Sequence, residues 1–394
     1  MLRFKGSQHF RQRLVCSTLS GRPIRIDDIR AADPESPGLR DFEASFLRLL
    51  EKLTNGCVVE INETGTSLRY RPGVVVCGAG LSHDCGSSRA IGYFIEPLLV
   101  LGLYGKKPLA ITLRGITNDA TDPGVDTFRT VTLPLLRRAL GVEDGLELRV
   151  VSRGAPPGGG GEVVLRVPLL RQLSPIKLED EGMVRRIRGV AYSMKVPPQV
   201  SNRMVDGARG VLNALLADVY VFTDATSGAA SGRSPGYGIA LVAETTSGCL
   251  ISAEACHHAA PPASQQQQQL QQRQAQRGLG GGGDGGDGGA DGPGAQAVPE
   301  DVGAQAAHLL LEEVRRGGVV DGTHQGLLLL LCALGPEEAN SLRLGPLTPH
   351  AVRTLRHVRD FFGVTFALRP ERGSGTLFAT CVGANVRNVS RRAT

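Results

Sequence analysis

The feature that most constrains the fold is a recurring order of helix, strand-pair, helix and strand patterns in the first part of the chain. A helix pattern with one apolar face covers 38–54, a hairpin pattern covers 58–71, and further helix patterns cover 87–103 and 125–140. The cadence returns roughly every sixty to seventy residues, which is typical of a repeated structural unit. Because an apolar face must be covered by another layer, the pattern predicts repeated α/β units with two helices on one side of each sheet.

Patterns of the same kinds restart near Met183 and later return to the first arrangement. From there, the order of strand, helix, three strands and helix predicts a compact small α/β domain. Helix patterns over 326–334 and 349–362 and a last strand pair follow it. The predicted divisions are 1–182 for the first part of a large domain, 183–317 for a small inserted domain and 318–394 for the rest of the large domain.

A low-complexity segment at about 259–298 differs from the rest of the chain. It contains five consecutive glutamines, from Gln265 to Gln269, followed by glycine- and aspartate-rich sequence. Such a segment buries too little apolar surface to compensate for the entropy lost on ordering. It is predicted to be a disordered surface loop of the small domain, because a long insertion between elements costs a fold little.

The charge balance narrows the classes of partner. The net charge is +6 and the isoelectric point about 9.0, with arginine supplying most of the positive charge. Arginine binds phosphate in a bidentate fashion, so a nucleic acid is favoured, although a merely soluble basic protein has the same composition. Aromatic residues make up 4% of the chain and tryptophan is absent, which argues against a surface that stacks many bases.

Cysteine usage and apolar runs indicate neither a metal site nor a membrane span. None of the eight cysteines forms a C-x-x-C pair, and no His or Cys at metal-binding spacing accompanies Cys77 and Cys85. We therefore expect no metal, no other cofactor and a reducing compartment. The longest apolar run, 327–334, is too short to cross a bilayer, and no secretory signal is expected at the N-terminus.

Six segments, in order along the chain, carry a resemblance to a known family. They are FRQRLVCSTLSGRPIRI (10–26), PGLRDFEASFLRLLEKLTNG (37–56), LRGITND (113–119), GAPPGGGGEV (154–163), SPGYGIALVAETTSG (234–248) and LGPLTPHAVRTLRHVRDFFGVTF (344–366). Together they resemble the RNA 3′-terminal phosphate cyclase superfamily, in particular its cyclase-like branch in eukaryotic ribosome biogenesis. The resemblance implies an α/β (α+β) fold, with a large domain of three repeated units of two helices on a four-stranded sheet and a small inserted α/β domain.

The residues that the resemblance assigns to a cyclase centre are only partly present. Cyclases attack ATP with a histidine, and His350 stands at that position. Their Glu-Gly-Gly-Gly-Gln stretch corresponds to 4–8, where Gln8 remains, and Arg11 follows as in the family. Loss of a glycine turn removes backbone N–H groups that approach phosphate, and the cyclases' Asp-Gln pair reads Gln-Gly at 325–326. The chain is predicted to lack cyclase activity, and an ATP-dependent cyclase that uses His350 is kept as an alternative.

The predicted helix at 349–362 carries the candidate chemistry, with Thr348 as its cap and Pro349 in its first turn. Its histidines and charged residues are His350, Arg353, Arg356, His357, Arg359 and Asp360. A histidine that moves a proton at a 2′-hydroxyl, with arginines that stabilise phosphorane charge, would make an endoribonuclease with His357, Arg356 and Arg359 as catalytic residues. The favoured interpretation is a solvated polar face that binds RNA phosphate, through Arg353 in particular, or a partner protein.

Three further groups are candidates for contact with RNA phosphate. The first group is Gln8, Arg11 and Arg13. The second is Arg186 and Arg188, because alternate residues of a strand share a face. The third is the glycine loop formed by Gly158, Gly159, Gly160 and Gly161. This loop lacks the Lys and Ser/Thr of a P-loop, so it either binds phosphate through its backbone or allows close packing.

The resemblance implies a nucleolar ribosome-assembly factor that acts on pre-rRNA in the small-subunit processome, with a nucleolar GTPase as partner. An endoribonuclease that cleaves a pre-rRNA spacer is the first alternative, and a surviving cyclase is the second. A scaffold predicts no turnover, a nuclease predicts ATP-independent cleavage that depends on His357, and a cyclase predicts a phosphoramidate adduct on His350. The residues leave the scaffold and the nuclease both open.

Overall fold

The computed structural model describes residues 1–142, 144–258 and 298–388. Its architecture is mixed α/β, which confirms the predicted fold class. The segment predicted to be a disordered loop, 259–298, lies outside the described residues except for Val298. Among the described helices, none is long and apolar enough to span a membrane.

Most of the longer helices and strands of the described residues follow one another as the sequence patterns indicate, but the patterns did not predict the helix Phe10–Ser20 or the strand Ala339–Leu344. The α-helices are α1 (Phe10–Ser20), α2 (Asp41–Leu53), α3 (Gly92–Leu103), α4 (Val125–Thr127), α5 (Leu133–Leu140), α6 (Gln199–Leu212), α7 (Pro299–Arg316), α8 (Gln325–Leu334) and α9 (Pro349–Phe362). A π-helical turn, Phe128–Thr132, joins α4 to α5, and a 3-10 turn covers Gly228–Ser231. The strands of the first half are β1 (Leu2–Lys5), β2 (Ile24–Asp27), β3 (Thr54–Asn55), β4 (Val58–Ile61), β5 (Leu68–Arg71), β6 (Val74–Val75), β7 (Leu81–Asp84), β8 (Leu109–Gly115), β9 (Glu147–Ser152) and β10 (Gly161–Val167). Those of the second half are β11 (Lys177–Leu178), β12 (Val184–Met194), β13 (Val219–Thr226), β14 (Gly236–Thr245), β15 (Leu250–His258), β16 (Ala339–Leu344), β17 (Ala367–Pro370) and β18 (Leu377–Val382).

Three four-stranded sheets share one arrangement of strands. Their orders are β1-β2-β5-β4, β7-β8-β10-β9 and β11-β16-β18-β17. In each sheet the first two strands run parallel and the remaining neighbours run antiparallel. Along the chain, two helices accompany each sheet: α1 and α2, then α3 and α5, then α8 and α9. These are the repeated units of two helices and four strands that the sequence predicts.

The third sheet takes its edge strand from a part of the chain that precedes the small unit. β11 pairs with β16 in parallel, with Lys177 opposite Ser341 and Leu178 opposite Leu342. The predicted divisions place β11 in 1–182, since a strand of two residues has no periodicity that would link it to the third unit. The insertion lies inside the third unit, between β11 and α8.

The small unit has its own sheet, β13-β12-β14-β15, and its own buried cluster beneath α6 and α7. Two glycines allow these helices to approach closely: a Cβ at Gly303 would lie 2.0 Å from the Met204 carbonyl oxygen, and one at Gly207 would lie 2.2 Å from that of Glu300. The domain divisions at 182 and 317 stay predictions. β12, the first strand of the small unit, and α7, its last helix, both lie between these two positions.

One hydrophobic core joins the three repeated units. It includes fully buried strand residues of each sheet, such as Ile24, Leu113 and Leu342. The apolar helix α8 is buried along its whole length, and it packs beside α9, which in turn packs on α1. This packing brings the N-terminal segment of the chain against the start of α9.

Candidate nucleic-acid interface

α9 begins as the sequence predicts. The Thr348 side chain accepts a hydrogen bond from the Ala351 backbone N–H at 3.1 Å, and Pro349 occupies the first turn. His350 therefore lies at the positive end of the helix dipole, which disfavours a charged imidazole. Burial lowers the pKa of His350, with Glu96 opposing that change and Arg11 adding to it.

His350 packs against α8 at a position where only glycine leaves room for it. A Cβ on Gly326 would lie 2.6 Å from His350 Cδ2 and 2.7 Å from its Nε2. The neighbouring Gln325 holds the loop before α9, because its Nε2 donates to the Pro346 carbonyl at 3.1 Å and its Oε1 accepts from the Thr348 N–H at 3.0 Å. Gln325 and Gly326 thus position His350 and its helix.

His357 is buried, so the prediction of a solvated polar face is wrong at this residue. It is only 5% exposed, because this side of α9 packs on α1. Its Nδ1 lies 2.7 Å from Gln12 Oε1, and Gln12 Nε2 donates to Thr354 Oγ1 at 2.6 Å. Burial, with Arg13 and His9 adding to its effect, lowers the pKa of His357 to about 3.

His9 completes a cluster of three imidazoles that the sequence does not reveal. It precedes α1 in the left-handed backbone conformation, with φ 55°. Its ring centroid lies 5.6 Å from that of His350 and 5.9 Å from that of His357. Burial lowers the pKa of His9 to about 4, and the neighbouring His350 and Arg13 contribute. The one hint in the sequence is that His9 directly follows segment 4–8, which resembles the cyclase glycine stretch.

The sequence predicts that Arg11 contacts RNA, but in the structure its side chain is engaged within the protein. It forms an ion pair with Glu96, donates to the Tyr93 carbonyl at 2.6 Å, and lies 4.7 Å from the Tyr93 ring centroid. Its side chain is 18% exposed. Arg11 thus holds α1 against α3. Moving it to an RNA phosphate would leave the largely buried Glu96 carboxylate unpaired, which is unfavourable.

Arg13 closes the segment that stands in place of the cyclase glycine stretch. Its Nη1 donates to the Gly6 carbonyl at 2.7 Å, while the Gly6 N–H donates to the Asp27 carbonyl at 2.8 Å. Both backbone groups of the remaining glycine are therefore used within the protein. Burial, followed by the charge of Arg353, lowers the pKa of Arg13 to about 10. Since this value is still well above neutral pH, Arg13 stays protonated and places a positive charge beside the imidazoles.

The other predicted residues of this region lie at its rim. Those that are exposed are Gln8, Arg353, Arg356 and Arg359. Arg353 is close enough to lower the pKa values of His9 and His357, whereas Arg359 pairs with Asp360 at 3.2 Å. Successive helix residues are about 100° apart, so the exposed Arg356 and the buried His357 point in different directions.

The geometry favours a bound anion over a bound cation. Arg13 and Arg353 place positive charge beside the three imidazoles, and the start of α9 adds the positive end of a helix dipole. The nearby carboxylate of Glu96 is already paired with Arg11. Within the described ranges, no group of three His, Cys, Asp or Glu side chains is arranged to hold a metal ion.

Comparison with known proteins decides the family. The family model described as RNA 3′-terminal phosphate cyclase matches residues 2–368. The chain belongs to the RNA 3′-terminal phosphate cyclase family. It is 47% identical over 391 residues to the probable RNA 3′-terminal phosphate cyclase-like protein of Dictyostelium discoideum, covering 99% of each chain.

Two other relatives in this cyclase family extend the comparison. The chain is 47% identical over 397 residues to the RNA 3′-terminal phosphate cyclase-like protein of Homo sapiens, covering 99% of this chain and 97% of that protein. It is 42% identical over 393 residues to the rRNA processing protein rcl1 of Schizosaccharomyces pombe, covering 99% of this chain and 98% of that protein.

In this member of the cyclase family, the predicted RNA contacts on β12 are engaged within the small unit. Arg186 and Arg188 share the face of β12 opposite the buried Ile187, as the alternation predicts. Arg186 pairs with Glu244 at 2.7 Å, and Arg188 pairs with Asp218 at 2.7 Å. An RNA phosphate at either arginine would have to compete with a carboxylate.

The glycine loop of this cyclase-family chain is packed against neighbouring segments. The Gly158 N–H donates to Ser234 Oγ at 2.9 Å, and the Gly159 N–H donates to a backbone carbonyl at 2.9 Å. A Cβ at Gly161 would lie 2.5 Å from Thr117 Cγ2. Of the two interpretations left open by the sequence, these contacts favour close packing over phosphate binding.

Proposed function

We propose that this chain is a cyclase-like ribosome-biogenesis factor that binds pre-rRNA during processing for the small ribosomal subunit and has no RNA cyclase activity. The Schizosaccharomyces pombe relative that is named an rRNA processing protein supports the process. The cyclase-like names of the other relatives support a branch distinct from true cyclases. The basic surface around His9, His350 and His357 supports RNA as the partner.

The observation that carries the proposal is the state of the two histidines at which chemistry would be expected. A general acid–base group needs a pKa near the working pH, whereas His357 has a pKa of about 3 and is hydrogen-bonded to Gln12. A nucleophilic group is normally paired with an orienting partner, and no hydrogen bond joins the His350 ring to any residue that the structure describes. Both side chains are therefore better suited to shaping an RNA-binding surface than to turnover.

The proposal extends to the location and assembly of the protein. We place it in the nucleus and nucleolus, within the small-subunit processome, in contact with pre-rRNA and a nucleolar GTPase. The support is the resemblance carried by the six sequence segments. A tagged copy should overlap a nucleolar marker and retain the GTPase after ribonuclease treatment. Exclusion from the nucleus, or loss of the GTPase with the RNA, would overturn this part.

The biochemical test compares wild type with His350→Ala and His357→Gln. Each protein is incubated with labelled ATP and an RNA that ends in a 3′-phosphate, and separately with a pre-rRNA spacer transcript without ATP. We expect no protein–AMP adduct, no cyclic phosphate and no discrete cleavage. An adduct that His350→Ala abolishes would establish a cyclase, and cuts that His357→Gln abolishes would establish a nuclease.

The cellular test asks whether the histidines matter for processing. Depletion of the protein should reduce mature small-subunit rRNA and cause its precursors to accumulate, as measured by hybridisation. His350→Ala should restore processing to nearly the wild-type level, because the proposed role needs no nucleophile. Unchanged precursor levels after depletion would contradict the ribosome-biogenesis role itself.

A further inference from the structure

The first sheet, β1-β2-β5-β4, has one face covered by the core and one open face. The buried face includes Ile24, Ile26 and Tyr70, each 0% exposed. All the charged residues of its strands alternate onto the open face. They are the basic residues Arg3, Lys5, Arg25, Arg69 and Arg71 and the acidic residues Asp27 and Glu60. Five basic residues and two acidic ones make this face strongly positive.

Three of these arginines form a row across neighbouring strands. The pairing register places Arg3 directly beside Arg25, and Arg25 directly opposite Arg69. Adjacent strands lie about 4.8 Å apart, and like charges in directly paired positions destabilise a sheet. The row therefore costs the sheet stability to the extent that nearby anions do not neutralise its charges.

The carboxylates around the row neutralise only part of its charge. Arg25 pairs with Asp27 at 2.9 Å, and Arg69 pairs with Glu60 at 3.2 Å. Lys5 pairs at 3.3 Å with Asp28, the residue that follows β2. Arg3 and Arg71 are exposed and form no ion pair with any residue that the structure describes.

The second sheet, β7-β8-β10-β9, serves as an internal comparison because it has the same strand arrangement. The charged residues of its open face are balanced: Arg114, Arg149, Arg166, Asp84, Glu147 and Glu162. Arg114 pairs with Glu162 at 2.7 Å, and Arg166 pairs with Glu147 at 3.2 Å. The excess of positive charge is therefore a property of the first sheet and does not follow from the repeated architecture.

We propose that the open face of the first sheet binds the phosphate backbone of RNA without reading its sequence. Guanidinium groups bind phosphate oxygens in a bidentate fashion, and a row of them across strands suits a chain of successive phosphates. No aromatic residue of these four strands lies on the open face, because Phe4 and Tyr70 point to the other side. Base stacking is thus unavailable there, and the contact is to the backbone.

This surface is separate from the imidazole cluster. Phe4, on the covered face of β1, has its ring centroid 5.9 Å from that of His357 and stacks on Phe361 at 5.6 Å. The cluster and the arginine row therefore lie on opposite sides of β1. RNA binding at the row does not depend on the proposed function and can be measured with purified protein.

The test measures RNA affinity of the full chain by fluorescence anisotropy between about 50 and 200 mM salt, a range over which phosphate contacts weaken strongly. The variant is Arg3→Gln/Arg25→Gln/Arg71→Gln, and the matched control on the second sheet is Arg114→Gln/Arg149→Gln/Arg166→Gln. Two RNAs of equal length and unrelated sequence are compared. Thermal unfolding establishes that both variants are folded, and Arg3→Gln/Arg71→Gln replaces the triple variant if it is not.

We expect the variant to lose at least roughly tenfold in affinity for both RNAs alike, and the slope of log affinity against log salt to fall by roughly 0.7–0.9 per lost contact. The control should bind like wild type. Equal affinity of variant and wild type would overturn the proposal, as would a loss confined to one RNA. Polyglutamate of equal charge that binds the face as tightly as RNA would also overturn it, in favour of an acidic protein partner.

Discussion

His357 and His324 are both buried histidines, yet their pKa values move in opposite directions. For His357, burial and the nearby Arg13 act together and lower the pKa to about 3. For His324, burial also lowers the pKa, but Asp321, whose carboxylate lies 2.7 Å from Nδ1, outweighs it and raises the pKa overall. The neighbours of each imidazole, which come from distant parts of the chain, decide whether it carries a charge.

The low pKa of His357 predicts a loss of stability in acid. The unfolded chain binds a proton at this histidine below about pH 6.5, whereas the folded protein does not until about pH 3. The contribution is fully present above the unfolded pKa and is lost as the pH falls towards the folded one. Between about pH 7.5 and 5.5, wild type should lose roughly 1 kcal/mol of unfolding free energy more than His357→Gln, as measured by urea denaturation. An equal loss in the two proteins would contradict the assigned burial.

α1 shows how an element can be hidden from pattern reading. It buries Arg13, Ser17 and Thr18 along with its apolar residues, so its sequence lacks the clean apolar stripe of an amphipathic helix. The two buried hydroxyls have local partners, since Ser17 Oγ donates to the Arg22 carbonyl at 2.6 Å and Thr18 Oγ1 donates to the Leu14 carbonyl at 2.8 Å. Thr18 Oγ1 also lies 2.8 Å from the Tyr70 hydroxyl on β5, a partner that only the folded chain supplies.

The helix pair α6–α7 gives a sharp test at the scale of elements. Gly303→Ala should destabilise the protein by about 1–3 kcal/mol, because the added Cβ would lie 2.0 Å from the Met204 carbonyl oxygen. Gly210→Ala, on α6 with no atom within 4 Å of the added Cβ, is the matched control and should stabilise by up to about 1 kcal/mol. Chemical denaturation of both variants measures the difference. Similar stabilities would refute the close approach of the two helices.

At the scale of the whole molecule, Arg153 links the second sheet to the small unit. It follows β9 and is 1% exposed. Its guanidinium donates to both carboxylate oxygens of Asp126, at 2.7 and 2.9 Å, and lies 2.8 Å from Asp224 on β13. It also lies 4.8 Å from the centroid of the Tyr192 ring on β12. Four elements that are far apart in the chain therefore meet at one cation.

Arg153→Met should cost about 3–5 kcal/mol of unfolding free energy, because it removes the buried cation of Asp126 and leaves this carboxylate only the partly exposed Arg129 as a partner. Arg114→Ala, which removes an exposed pair with Glu162, should leave the unfolding free energy almost unchanged. Guanidinium denaturation measures both changes. If the Arg153→Met/Asp126→Leu double variant recovered none of the loss, the buried carboxylate would not be its cause.

Adjacent sequence was enough to predict most of the longer helices and strands and their order, although not α1 or β16. The apolar stripe, Thr348 cap and Pro349 predicted α9 with the bounds that the structure has, and the cadence predicted the repeated units. These features depend on contacts within a few residues, so their signals lie in adjacent sequence. The six matched segments likewise indicate the family from the amino-acid sequence alone.

Only the tertiary structure decided which residues meet. The folded chain brings His9 to His350 and His357 and pairs Arg11 with Glu96. It also adds β11, which precedes the small unit in the chain, to the third sheet. The physical reason is that burial, ion pairing and the resulting pKa values depend on neighbours in space, and helix packing sets those neighbours across hundreds of residues. The sequence pattern of α9 therefore predicted that His357 is a polar surface residue, whereas packing of α1 against it makes His357 a neutral histidine in the interior.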